Sequence, residues 1–177
     1  MTIVEWGSWL GWSIGGSDSN NFRAVRVLTR DLRIAGFQLG GGGRYGRERG
    51  ALAKRATAFA LRVVRLFRAL PECGEARVTG FQLLRSATSV AANYRAVCKS
   101  RSRANFISKL GIVEEEADET VFWLEFLGET GVVKKERLRD LVSEGNQLTA
   151  IFAASRKTAR RNNRRLTAGD QKIKEVR

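Results

Sequence analysis

Apolar residues recur at steps of three and four from Leu52 onward. Leu52, Ala56, Phe59, Val63, Leu66 and Leu70 fall on one side of a helix and form a coiled-coil-like seam. Pro71 stops this first helix, because it has no amide hydrogen to donate. Leu83, Ala87, Val90, Tyr94 and Val97 predict a second helix from about Arg77 to Lys99, and the basic polar run Lys99 to Arg103 reads as a turn. A third helix follows on Phe106, Leu110, Val113, Ala117, Thr120, Leu124 and Leu127, with Gly131 as its C-terminal stop. The fourth carries Leu138, Leu141, Gly145, Leu148 and Phe152. Apolar alternation at period two is absent over this region, so no strand pattern competes. Four amphipathic helices of about 20 to 27 residues, each about 30 to 40 Å long, predict an all-α, antiparallel up-down-up-down four-helix bundle.

The flanks read differently. WGSWLGWSIGGSDSNN opens the chain and GGGGRYGRERG closes its first fifty residues, and such Gly, Ser and Asn clusters break regular structure. Residues 1–50 are therefore expected to be a low-order leader, with Phe22 to Leu39 as a short helix or strand inside it. The bundle is expected over 51–161 and a basic tail over 162–177. The apolar opening lacks a basic n-region and is interrupted by glycines, which argues against a signal peptide and against a membrane span.

The second helix carries an unusual polar face. Ser86, Ser89 and Asn93 lie beside its apolar stripe at steps of three and four, next to Arg85. A guanidinium and an amide on this helix can be satisfied by a carboxylate on the third, where Glu115, Glu116 and Glu119 are candidates. Arg85, Ser86, Ser89, Asn93 and Glu119 are thus expected to form a structural polar network that fixes helix register. Glu114, Glu115 and Glu116 are consecutive and fan around the helix, so they do not converge as a metal or catalytic set.

The stretch LLRSATSVAANYRAVCK, followed by FISKLGIVEEEADETVFWLEFL, resembles a bacterial four-helix-bundle family first noticed as products of intervening sequences in large-subunit ribosomal RNA genes. That family also includes the accessory proteins of diversity-generating retroelements. The resemblance covers about Leu52 to Arg161. It implies that Arg85, a serine and Asn93, with a third-helix glutamate placed at Glu119, are signature positions. It also implies rings of five bundles with basic outer surfaces, and accessory relatives that bind a reverse transcriptase and nucleic acid. This chain departs from the pattern after Asn93: Tyr94, Arg95 and Ala96 stand where many relatives carry an acidic residue.

Composition adds charge to this picture. The 177 residues are 43% hydrophobic, enough for one compact domain plus tails, and carry a net charge of +14. Such a balance makes a polyanion the first partner to consider. Nine Lys and Arg oppose two Asp and Glu in residues 51–100 and again in 151–177, whereas seven oppose ten in 101–150, so one helix is acidic among basic ones. Expected phosphate contacts are Lys54, Arg55, Arg62, Arg65 and Arg68 on the first helix, Lys99, Arg101 and Arg103 in the turn, and Arg156, Lys157, Arg160, Arg161, Arg164 and Arg165 toward the C-terminus. No base-reading module accompanies them, so contact with RNA or DNA is expected to be nonspecific.

Histidine is absent, which removes the usual general base and the commonest metal ligand. No enzyme activity, cofactor or metal is expected. Cys73 and Cys98 stand at no metal-ligand spacing and suit reduced packing residues in the cytoplasm. Phe122, Trp123 and Phe126 lie outside or beside the third seam, fitting either wide burial in the monomer or contact with another copy, and the resemblance favours the second. The expected function is that of an oligomeric, non-enzymatic nucleic-acid-binding protein. The alternative is an adaptor whose basic surface docks an acidic partner or a reverse transcriptase.

Overall fold

The computed structural model describes residues 44–175, and the expectations for residues 1–43 lie outside the described residues. Four helices follow one another: α1 (Arg44–Arg68), α2 (Gly74–Cys98), α3 (Arg103–Glu129) and α4 (Lys135–Glu175). Each packs against its neighbours in sequence, and α1 against α4 closes the bundle. No strand occurs among the described residues.

The helix ends are set by local chemistry. α1 ends in tightened turns, Ala69 N–H donating to Leu66 O and Leu70 N–H to Phe67 O, just before Pro71. Ser102 caps α3, its Oγ accepting from Asn105 N–H at 3.1 Å. Gly131 takes a φ of 74°, which its missing Cβ permits, and its N–H reaches Gly128 O at 3.3 Å to close α3.

Two boundaries differ from expectation. α1 begins at Arg44, inside the expected leader, despite Gly46 and Gly50. Tertiary contacts hold that turn: the Arg49 guanidinium lies 5.3 Å from the Phe106 ring centroid, and the Arg49 carbonyl faces Cys98 Sγ at 4.0 Å. At the other end α4 runs through the expected tail to Glu175. Buried Ser155, Thr158 and Ala159 continue its seam, and a nucleated helix adds one backbone bond per residue fixed.

The core follows the predicted seams closely. Phe59, Leu83, Leu110, Leu124, Leu127, Leu148, Ile151 and Phe152 are fully buried, and Tyr94 meets Phe152 across the bundle with ring centroids 5.3 Å apart. Burial pushes the Tyr94 phenol well above its ordinary pKa, so it stays neutral. Gly145 sits where a Cβ would come 2.7 Å from Val121 Cγ2 and 3.3 Å from Phe59 Cζ. Its missing side chain lets α4 approach α3 and α1. No helix among the described residues is long and apolar enough to cross a membrane.

Candidate nucleic-acid interface

The bundle sorts the basic residues into three groups. The first is consumed by interhelical pairing. Arg55 donates to Gln147 Oε1 at 2.6 Å and lies 3.6 Å from Glu144 Oε1, and Arg62 pairs with the other oxygen of Glu144. These contacts tie α1 to α4. Arg156 likewise reaches across to α3, Nε at 2.7 Å from Glu114 Oε2 and Nη2 donating to Oε1 at 3.0 Å. Gly111 makes room for it, since a Cβ there would stand 3.0 Å from Arg156 Nη1. Arg156 is therefore better read as an interior ion pair than as a phosphate ligand. Burial pushes the Glu114 carboxyl above its usual value, and the Arg156 charge only partly opposes this.

The second group stands apart on α1. Lys54, Arg65 and Arg68 are exposed, with Arg65 and Arg68 in the last turn. Arg65 and Arg68 lie at the opposite end of α1 from Arg49, and Lys54 lies between.

The third group converges. Arg49 over Phe106 and beside Cys98 places the start of α1 at the same end as the α2–α3 connection, and the Arg156–Glu114 pair brings the second half of α4 alongside the start of α3. Lys99, Arg101, Lys157, Arg160 and Arg161 are exposed there, and Arg103 is half-buried. None of the six forms an ion pair among the described residues. Arg103 Nη1 is enclosed without a hydrogen-bond partner among those residues. Exposed Arg164 follows on α4, whereas the side chain of Arg165 lies outside what is described. Exposed Arg47, assigned by sequence to the leader, joins this end because α1 starts early. The result is a cationic end built from three segments that are distant in sequence, able to meet phosphates by charge without reading bases.

The expected polar network exists in pieces. Arg85 pairs with Glu119 and lies 3.6 Å from Glu116 Oε2, while Trp123 Nε1 donates to Glu119 Oε1 at 3.1 Å. Burial alone would push the Glu119 carboxyl up, but the hydrogen bonds from Arg85 and Trp123 and the Arg85 charge outweigh it and hold it below the usual value. Buried Ser86 Oγ lies 3.0 Å from Thr120 Oγ1, which lies 2.7 Å from Glu116 O, so two hydroxyls join α2 to α3 inside the bundle. Asn93 departs from the expectation: its Nδ2 donates to Ser89 Oγ at 2.9 Å, one turn away within α2, and not to a carboxylate on α3. Thr120 was legible only as a seam position, and Glu114 only as one of three consecutive acids.

The aromatic set also divides. Phe122 and Phe126 are 52% and 41% exposed, while half-buried Trp123 packs against the core. Their rings form one cluster, with centroids 4.8 Å apart for Phe122 and Trp123 and 5.8 Å for Trp123 and Phe126. Wide burial within the monomer thus holds for Trp123 alone. Cys73 and Cys98 are unbridged, and burial pushes the Cys98 thiol up.

Comparison with known proteins gives the family. A crystal structure of a protein of unknown function from the S23 ribosomal protein family of Bacteroides thetaiotaomicron VPI-5482 is 32% identical, with a TM-score of 0.56. The match covers 62% of this chain and 97% of that one. No protein with a curated function matches. The family model for the 23S rRNA-intervening sequence protein matches residues 49–154, spanning all three interhelical connections and most of the bundle, and the chain belongs to that family.

Proposed function

We propose that this chain is a non-enzymatic, sequence-nonspecific nucleic-acid-binding protein that works as an oligomer of four-helix bundles. The observation that carries the reading is the cationic end, where Lys99, Arg101, Arg103, Lys157, Arg160 and Arg161 form no close ion pair with a carboxylate among the described residues. Charges arranged this way gain affinity by releasing counterions from a phosphate backbone. The absence of histidine supports a binding role, since neither a Ser-His nor a Cys-His nucleophile pair can be assembled. Exposed Phe122 and Phe126 support self-association, and resemblance to ring-forming relatives favours five copies. In such an assembly the cationic ends would act together on one long strand.

The test is a fluorescence anisotropy titration of labelled single-stranded RNA and duplex DNA at two salt concentrations. Binding should weaken steeply with salt and tighten with strand length, with little dependence on sequence. Replacing Lys99, Arg101, Lys157, Arg160 and Arg161 with Gln should flatten the salt slope by up to about 0.7 per lost phosphate contact on a single strand. Failure of the intact oligomer to bind at low salt would overturn the reading. The exposed aromatic face would then favour the adaptor role, with an acidic protein or a reverse transcriptase as partner.

A further inference from the structure

α1 and α3 stand diagonally in the bundle, so their outer faces point to opposite sides. On α3 the centre of that face is Phe122, 52% exposed. The positions seven and four before it and three and seven after it share its side of the helix, and all four are exposed carboxylates: Glu115, Asp118, Glu125 and Glu129. Among the described residues only Glu129 has an ion-pair partner, Lys135, and both are exposed. Partial desolvation pushes the Asp118 and Glu125 carboxyls up, and the charges of Asp118 and Glu129 push Glu125 further.

On α1 the same construction appears with the opposite sign. Leu61 is 52% exposed, and Lys54, Arg65 and Arg68 lie seven before, four after and seven after it on the same side. None of these cations pairs with a carboxylate among the described residues. Each face is an apolar knob among like charges, repeated over about 21 Å of helix.

We infer that the α1 face of one copy docks on the α3 face of the next, with Leu61 meeting Phe122 and Lys54, Arg65 and Arg68 lying among Glu115, Asp118, Glu125 and Glu129. The occupant is a second copy because one chain carries both complementary faces. Their placement on opposite sides leaves each copy free to bind a neighbour through both at once. Such a contact is heterologous, and it closes into a ring or runs on as a chain depending on the rotation between copies. The outer face of α2, with exposed Val78 and Phe81, competes poorly, because its Arg85 is already paired with Glu119 in the same subunit. This inference rests on the self-association proposed above and assigns it a partner face. It also withdraws Lys54, Arg65 and Arg68 from the nucleic-acid surface.

The test uses charge reversal with rescue, read by multi-angle light scattering and sedimentation equilibrium at fixed protomer concentration, with circular dichroism as the check on folding. Arg65→Glu with Arg68→Glu should weaken self-association at least tenfold, and so should Asp118→Lys with Glu125→Lys. All four substitutions in one chain should restore the parent's size, and the two defective variants mixed together should co-assemble. Failure of the four-fold variant and of the mixture to regain assembly would overturn the pairing. An oligomer indifferent to the α1 reversal would also overturn it while leaving self-association standing. A parent chain that is monomeric at tens of micromolar would remove both.

Discussion

Replacing Arg156 with Met separates a structural arginine from a phosphate-binding one. The Glu114 side chain is 11% exposed and that of Arg156 is 24% exposed, so removal of the guanidinium leaves a carboxylate enclosed between α3 and α4. Breaking a fully buried pair costs about 3–5 kcal/mol, and because a quarter of Arg156 remains open to water the loss here should be about 2–3 kcal/mol. At a urea slope of about 2 kcal/mol/M, the unfolding midpoint should fall by about 1–1.5 M. Protomer concentration must be held fixed, since assembly adds to apparent stability. The pH dependence has a definite sign. Burial already raises the Glu114 carboxyl, and losing Arg156 raises it further above its unfolded value. A carboxyl with a raised folded pKa contributes stability that is present below the unfolded pKa and lost as pH rises through the folded one. The deficit of the variant should therefore be smallest below the unfolded carboxyl pKa and grow as pH rises through the raised folded one. Adding Glu114→Leu removes the stranded charge and should return the unfolding free energy to within about 1 kcal/mol of the parent. An Arg156→Met chain that unfolds at the parent's midpoint, or a double variant weaker than the single one, would refute this reasoning.

Gly145→Ala should lower stability by about 1–2 kcal/mol in urea titration, because crowding of stiff Val121 and Phe59 outweighs a gain of up to about 1 kcal/mol in helix propensity. Gly50→Ala, where a Cβ meets nothing within 4 Å, is the control and should match or exceed the parent. Deleting residues 1–43 should preserve cooperative thermal unfolding, whereas deleting 1–50 removes Arg49 from Phe106 and Cys98 and should lower the midpoint. Glu119 has a lowered folded pKa, so its contribution is present above the unfolded value and lost as pH falls through the folded one. Glu119→Gln should accordingly flatten the acid edge of the stability profile, read by circular dichroism between pH 2 and 6.

The seams were legible because burial in a bundle repeats at the helical period: every predicted seam residue of the third and fourth helices is buried. Phe122 and Phe126 were legible for the same reason, as large apolar groups off that period. The fates of the arginines were not. Arg55, Arg62 and Arg156 look like Arg65 and Lys157 in sequence, and only the pairing of α1 with α4 and of α3 with α4 gives the first three their carboxylates. Asn93 was misassigned because a spacing of four admits both a bond within the helix and one to a neighbour, and helical geometry favours the nearer hydroxyl. The start of α1 was hidden by Gly46 and Gly50, whose intrinsic cost is outweighed by contacts distant in sequence.

α3 is charged against its own backbone dipole. It opens with Arg103 and has no acidic residue in its first turn, and it closes with Glu125 and Glu129 and no basic residue in its last. Anions favour the N-terminal end of a helix and cations the C-terminal end, by about 0.3–1 kcal/mol each, so both termini of α3 work against local helix formation. As an isolated peptide it should be largely unstructured in water, despite its 27 residues. It is helical because α2 and α4 flank it. Amide hydrogens in the middle of α3 should therefore exchange with solvent only when the whole bundle opens, making it the segment whose protection reports global unfolding most directly.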